Sequence, residues 1–188
     1  MSDIPWSWFV MRATGLVGLA LLTVAVVLGI LGPRLRPTAR LASISTHRMA
    51  SATGAFAILA HVVLAVLDPW IALNWTAAIL PLPAAWEPWG VALGAVAVDL
   101  LLVLLLTTGT RRWAPRAWRR VHLVAYPLWV LAAGHGLLVG SDGAVMRGMA
   151  ATSAALALGA VSVRVLVRPV TPRPLGGVRA DVLVGGSR

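Results

Sequence analysis

Five apolar stretches dominate this chain, each close to the ~20 residues that a helix needs to cross a bilayer. They run over about 8–31, 46–67, 89–108, 120–139 and 145–167. Helix breakers separate them. Pro33 and Pro37 follow the first and Asp68-Pro69 the second. Gly109 and Pro115 follow the third, Gly140-Ser141-Asp142-Gly143 the fourth, and Pro169, Pro172 and Pro174 the fifth. Of the 188 residues, 59% are hydrophobic and only 12% are charged. A water-soluble domain carries about a quarter charged residues, and a disordered chain is poor in apolar ones, so both classes are excluded. The expected fold is an all-α integral membrane protein, a five-transmembrane-helix bundle over residues 1–168. Residues 169–188, rich in Pro, Gly and Arg, are expected to form a flexible basic cytoplasmic tail. The first stretch does not read as a signal peptide, because Met1–Ser7 holds no basic residue and includes Asp3.

Charge orients the bundle. All 16 basic residues are arginine and the net charge is +10. Arg34, Arg36, Arg40 and Arg48 fall between spans one and two. Arg111, Arg112, Arg116, Arg119 and Arg120 fall between spans three and four. Arg164, Arg168, Arg173, Arg179 and Arg188 end the chain. Cytoplasmic loops collect arginine, so the expected topology is multi-pass in the plasma membrane, with the N-terminus outside and the C-terminus cytoplasmic. Arginines flanking apolar spans are the membrane pattern, and nucleic acid is excluded as a partner. Trp6, Trp8, Trp70, Trp75, Trp86 and Trp89 are expected to form an outer interfacial belt, with Trp113 and Trp118 at the inner face. With no cysteine in the chain, disulfides, iron–sulfur clusters and thiol chemistry are ruled out. One glutamate in the whole chain and the lack of a nucleotide-binding glycine loop leave hydrolysis and dinucleotide binding unsupported.

The chemistry concentrates in the four histidines, His47 and His61 in span two and His122 and His135 in span four. Ionisable groups inside spans are costly and mark function. Both spans run in the same direction. His61 follows His47 by 14 residues and His135 follows His122 by 13, each about 20 Å along a helix. The four imidazoles therefore form two pairs at two depths, His47 with His122 and His61 with His135. Each pair can ligate one haem iron between helices 2 and 4, the second and fourth spans. Fourteen residues keep His47 and His61 on one helix face. Thirteen leave His122 and His135 about 140° out of phase on an ideal helix, and Pro127 is the residue expected to kink or rewind the span. Small residues beside the histidines (Ala50, Ser51, Gly54 and Ala57; Ala125, Ala132, Ala133, Gly134 and Gly136) suit a flat ligand, and equally suit helix–helix contact.

These residues resemble the ferric reductase-like transmembrane domain. That superfamily includes NADPH oxidases, ferric reductases and the haem-binding membrane subunit of the bacterial methionine sulfoxide reductase system. The resemblance lies in His47-Arg48-Met49-Ala50 through Leu59-Ala60-His61, and in Trp118-Arg119-Arg120-Val121-His122 through Gly134-His135-Gly136. Met11-Arg12-Ala13 is similar to the arginine the family sets beside its outer haem. The resemblance covers roughly residues 8–168. It implies two b-type haems and transmembrane electron transfer from a cytoplasmic-side donor to an outer-side acceptor. Five spans are counted where the family often has six. The sequence carries no FAD/NADPH domain after the last span, so the donor is expected to be a separate protein or quinol. The resemblance thus implies the membrane haem subunit of an oxidoreductase, a cytochrome b expected to need a partner for reducing power.

Other residues are read beside this frame. Arg12 and Arg147, on the arginine-poor side, are candidates to pair with propionates of the outer haem or with an anionic acceptor, or simply to meet lipid phosphate. Arg48 and Arg119 or Arg120 are the matching candidates at the inner haem. Asp99, in mid-span, either orients a ligand histidine or accepts a structural hydrogen bond, with the Trp129 indole at about its depth. Trp129 and Tyr126 lie between the haem levels, as electron-path residues or as helix packing. The alternatives are a single-haem anchor exchanging electrons with quinone or flavin, and a non-redox membrane transporter or assembly subunit.

Overall fold

The computed structural model describes residues 6–69, 71, 73–81, 84 and 86–167. The expected tail, 169–188, and Trp70 of the expected belt lie outside them. The described chain is all helical. Helix α1 is Trp6–Leu31, α2 Pro37–Leu67, α3 Trp75–Ile79, α4 Pro88–Thr108, α5 Pro115–His122, α6 Ala125–Val139 and α7 Gly143–Leu166, with short 3-10 turns at Gly32–Arg34 and Gly109–Arg112. Among the described residues, five helical segments are long and apolar enough to cross a membrane: Trp6–Arg34, Pro37–Leu67, Pro88–Arg112, Pro115–Val139 and Gly143–Leu166. The protein is a multi-pass membrane protein.

Two boundaries differ from the sequence expectation. Helix α2 starts at Pro37, nine residues before the apolar run. Proline suits the first helical turn, where its missing N–H costs nothing, and no breaker lies between Pro37 and His47. Arg40 and Arg48 therefore sit on a helix and not in a loop. The fourth span is not one helix. It breaks at Leu123–Val124, four residues before Pro127. Pro127 has no N–H to give the Leu123 carbonyl, which accepts instead from Tyr126 N at 3.2 Å. Leu123 N and Val124 N likewise reach only three residues back, to Arg120 O and Val121 O at 3.2 and 2.9 Å. Such 3-10 winding turns about 120° per residue against about 100° in an α-helix. About half a dozen residues wound this way recover most of the ~140° separating the two histidines in phase.

Helix α1 is the hub. It packs along α2 and also touches α6 and α7, while α4 pairs with α6. Close approach of α1 and α2 depends on small residues: a Cβ on Gly54 would stand 3.1 Å from Leu21 Cβ, and one on Gly18 2.7 Å from Ile58 Cγ1. Gly54 thus serves helix–helix contact, the alternative left open from sequence. Leu22, Ala55, Leu101 and Leu128 join α1, α2, α4 and α6 in a mid-bundle core, against which Trp129 packs. Trp129 also touches a second core of Val26, Ile30 and Ala160.

Candidate functional site

The second and fourth spans approach each other sparsely. Helix α2 leans on α1 and α3, and α6 on α4, α1 and α7, while Ala55 of α2 and Leu128 of α6 share the mid-bundle core. On α6 only Leu128 is fully buried. To either side of that core the two spans meet through histidine. The rings of His47 and His122 have centroids 6.1 Å apart and planes at 69°. Those of His61 and His135 are also 6.1 Å apart, with planes at 77°. All four expected ligands are brought together in the two expected pairs. A metal bonds imidazole nitrogen at about 2.0 Å, which sets the centroids of two rings flanking one ion about 6.2 Å apart.

Second partners define which ring nitrogen is free. His61 Nδ1 donates to Met11 O, His47 Nδ1 to Ala25 O and His135 Nδ1 to Gly90 O, each at 2.8 Å. A carbonyl only accepts, so Nδ1 carries the proton in each and Nε2 keeps the lone pair a metal requires. His122 differs. Its Nδ1 is buried and has no hydrogen-bond partner, and its ring stacks on Trp118, 4.8 Å between centroids. Trp118 was expected only as an interfacial residue.

A cavity of about 480 Å³ opens at the His61–His135 pair. Its wall includes both histidines, Trp8, Arg12, Trp86 and Met146, and it is mainly apolar. Ala77 and Ala78 of α3 are buried and also line it. Helix α3 was not expected from sequence. Asn74 starts it by accepting from Ala77 N at 2.7 Å. The donor set, imidazoles in facing pairs with an apolar cavity beside one of them, fits an iron porphyrin. No cluster of three or more His, Cys, Asp or Glu side chains that could hold a bare metal ion occurs among the described residues.

The arginine candidates separate. Arg12 reaches the cavity, where it pairs with Asp142 and Ser141 and lies 4.2 Å over the Trp8 ring. Arg147 is exposed on α7 and does not line that cavity, and Arg48, Arg119 and Arg120 are exposed. The suggested Asp99–Trp129 bond is not formed. The Trp129 indole donates to Thr23 Oγ1 at 3.0 Å, and Thr23 lies 3.0 Å from Ser153 Oγ. Thr23 and Ser153 are 3% and 2% exposed, close enough to satisfy each other and the indole, so the tryptophan has no need of a carboxylate. Nor does Asp99 orient a histidine; backbone carbonyls do that for three of them. Tyr126 is exposed, not enclosed between the levels. Sequence reasoning missed the polar group around Thr23 and the carbonyl partners. One signal for the latter was available: Gly15 and Gly29 in span one share the 14-residue interval of His47 and His61.

Fold and site together define a multi-pass helical membrane protein with paired imidazoles between two of its spans. The family model described as ferric reductase like transmembrane component matches residues 14–133, and the chain belongs to that family. The match takes in His47, His61 and His122 and stops two residues before His135. Membership makes this a membrane oxidoreductase component of the electron-transferring kind. Comparison with curated proteins and with solved structures gave no match.

Proposed function

We propose that the chain carries electrons across the plasma membrane through two b-type haems, one held by His47 and His122 and one by His61 and His135. The observation that carries this reading is the pair of 6.1 Å ring separations, met by residues from two spans that otherwise touch sparsely. Haem, when bound, supplies a one-electron carrier cycling between ferric and ferrous iron. The protein supplies the rest. Paired imidazoles hold the two sites about 20 Å apart along α2, and Leu22, Ala55, Leu101 and Leu128 fill the space between levels and keep water out. Arg12, already at the cavity mouth, holds anionic groups there, and Asp142 and Ser141 hold it in place.

Arginine placement supports electron entry at the His47–His122 side as the cytoplasmic one. There the exposed Arg111, Arg112, Arg116, Arg119 and Arg120 suit an acidic donor protein, with quinol as the membrane-borne alternative donor. Exit is then at the outer side to a ferric, oxygen or protein acceptor. The test is haem stoichiometry and redox spectra of the purified protein. Two haems per chain are expected by pyridine haemochrome. His61→Ala is expected to remove one and spare the other. A colourless protein from haem-replete cells overturns the reading.

A further inference from the structure

Three of the four histidines are held by one repeated device. Their carbonyl partners, Met11 O, Ala25 O and Gly90 O, each lie four residues before a glycine: Gly15, Gly29 and Gly94. In an α-helix that carbonyl already accepts from the glycine's own N–H, and its second lone pair is free for the imidazole. At Gly94 and Gly15 the missing Cβ is what lets the ring in. A Cβ on Gly94 would stand 2.6 Å from His135 Nδ1, and one on Gly15 2.9 Å from His61 Nδ1. At Gly29 the nearest atom of His47 would be 3.7 Å away, an ordinary contact.

His122 lacks this device. Helix α4 runs antiparallel to the fourth span, so the counterpart of Gly94 at that depth and close to its face lies 14 residues further along α4. Thr108 stands there. Its hydroxyl donates to Leu104 O at 2.7 Å, the carbonyl one turn back.

We propose that Gly15 and Gly94 are positioning residues that lock His61 and His135 onto backbone carbonyls, and that Thr108 denies His122 the same hold, so the two pairs grip iron unequally. This rests on the bis-histidine reading above. A hydrogen-bonded imidazole is the more basic ligand and favours ferric iron. Losing the bond raises that site's midpoint potential and gaining one lowers it.

The test is a potentiometric titration of the full-length, haem-loaded protein, with haem retention measured alongside and midpoints assigned through His61→Ala and His47→Ala. Gly94→Ala is expected to weaken haem retention at the His61–His135 site by about 10–100-fold, as loss of such outer-shell partners typically does. It should move that midpoint up and leave the other in place. Gly29→Ala, whose Cβ has room, is expected to change neither. Thr108→Gly alters only the end of α4 and guards against a Gly94 variant that fails to fold. It should lower the His47–His122 midpoint and slow haem loss there. A Gly94→Ala protein with both midpoints and retention unchanged overturns the proposal, as does an unmoved His47–His122 midpoint in Thr108→Gly. Either result leaves two haems bound and the functional reading intact, whereas a wild-type chain that binds none removes that reading and this inference together.

Discussion

At the arginine-poor end of the bundle, His61 and His135 each donate to a carbonyl, each lies against a glycine, and both face a cavity roofed by α3. At the arginine-rich end, His47 has one carbonyl and a looser glycine, while His122 has neither and leans on the half-exposed Trp118. The ring separation is the same in both. Ligand identity and spacing alone therefore do not describe a bis-histidine site. What lies behind each ring differs between the ends, and it sets how firmly a ligand is held and how basic it is.

The comparison can be broken most directly by removing ligands. His135→Ala and His122→Ala should each strip most of one of two haem signals, read as haem per chain. Within the His47–His122 pair, the haem that remains should be greater in His122→Ala than in His47→Ala, because His47 keeps a carbonyl and His122 has none. A mid-bundle change should strike both ends alike. Leu128→Ala empties the core between the two levels and is expected to cost about 2–5 kcal/mol, seen as a lower unfolding midpoint and equal loss of both haems. Thr23→Val leaves the Trp129 indole without its acceptor, expected to cost about 1–3 kcal/mol with haem stoichiometry kept. The smallest effect should come from Arg12→Ala. Its pairing with the half-exposed Asp142 is worth about 0–1 kcal/mol. Stability should barely move, and any change in midpoint should be confined to the His61–His135 site.

Much of the fold was legible because hydrocarbon is an unforgiving solvent: a span must be apolar, helical and long enough, and breakers must fall between spans. The histidine pairs were legible because both spans run the same way, so equal intervals mean equal depths. The phase of His122 against His135 was not. A period of 3.6 residues predicts opposite faces, and the local 3-10 winding that corrects it depends on hydrogen bonds near Pro127 that only coordinates reveal. Asp99 and Trp129 were similarly ambiguous, since depth matched them but Thr23 on α1 was the nearer acceptor. Helix α3 was hidden because five residues carry too little periodicity to read.

By itself, then, the order of residues determined the number of spans, their relative direction and the depth of each imidazole, because these follow from length, apolarity and counting along a helix axis. Rotation about that axis, the neighbour behind each ring and the sparse approach of α2 to α6 were decided only by tertiary packing. Those depend on contacts between helices far apart in the chain, where a missing Cβ lets a histidine reach a backbone carbonyl.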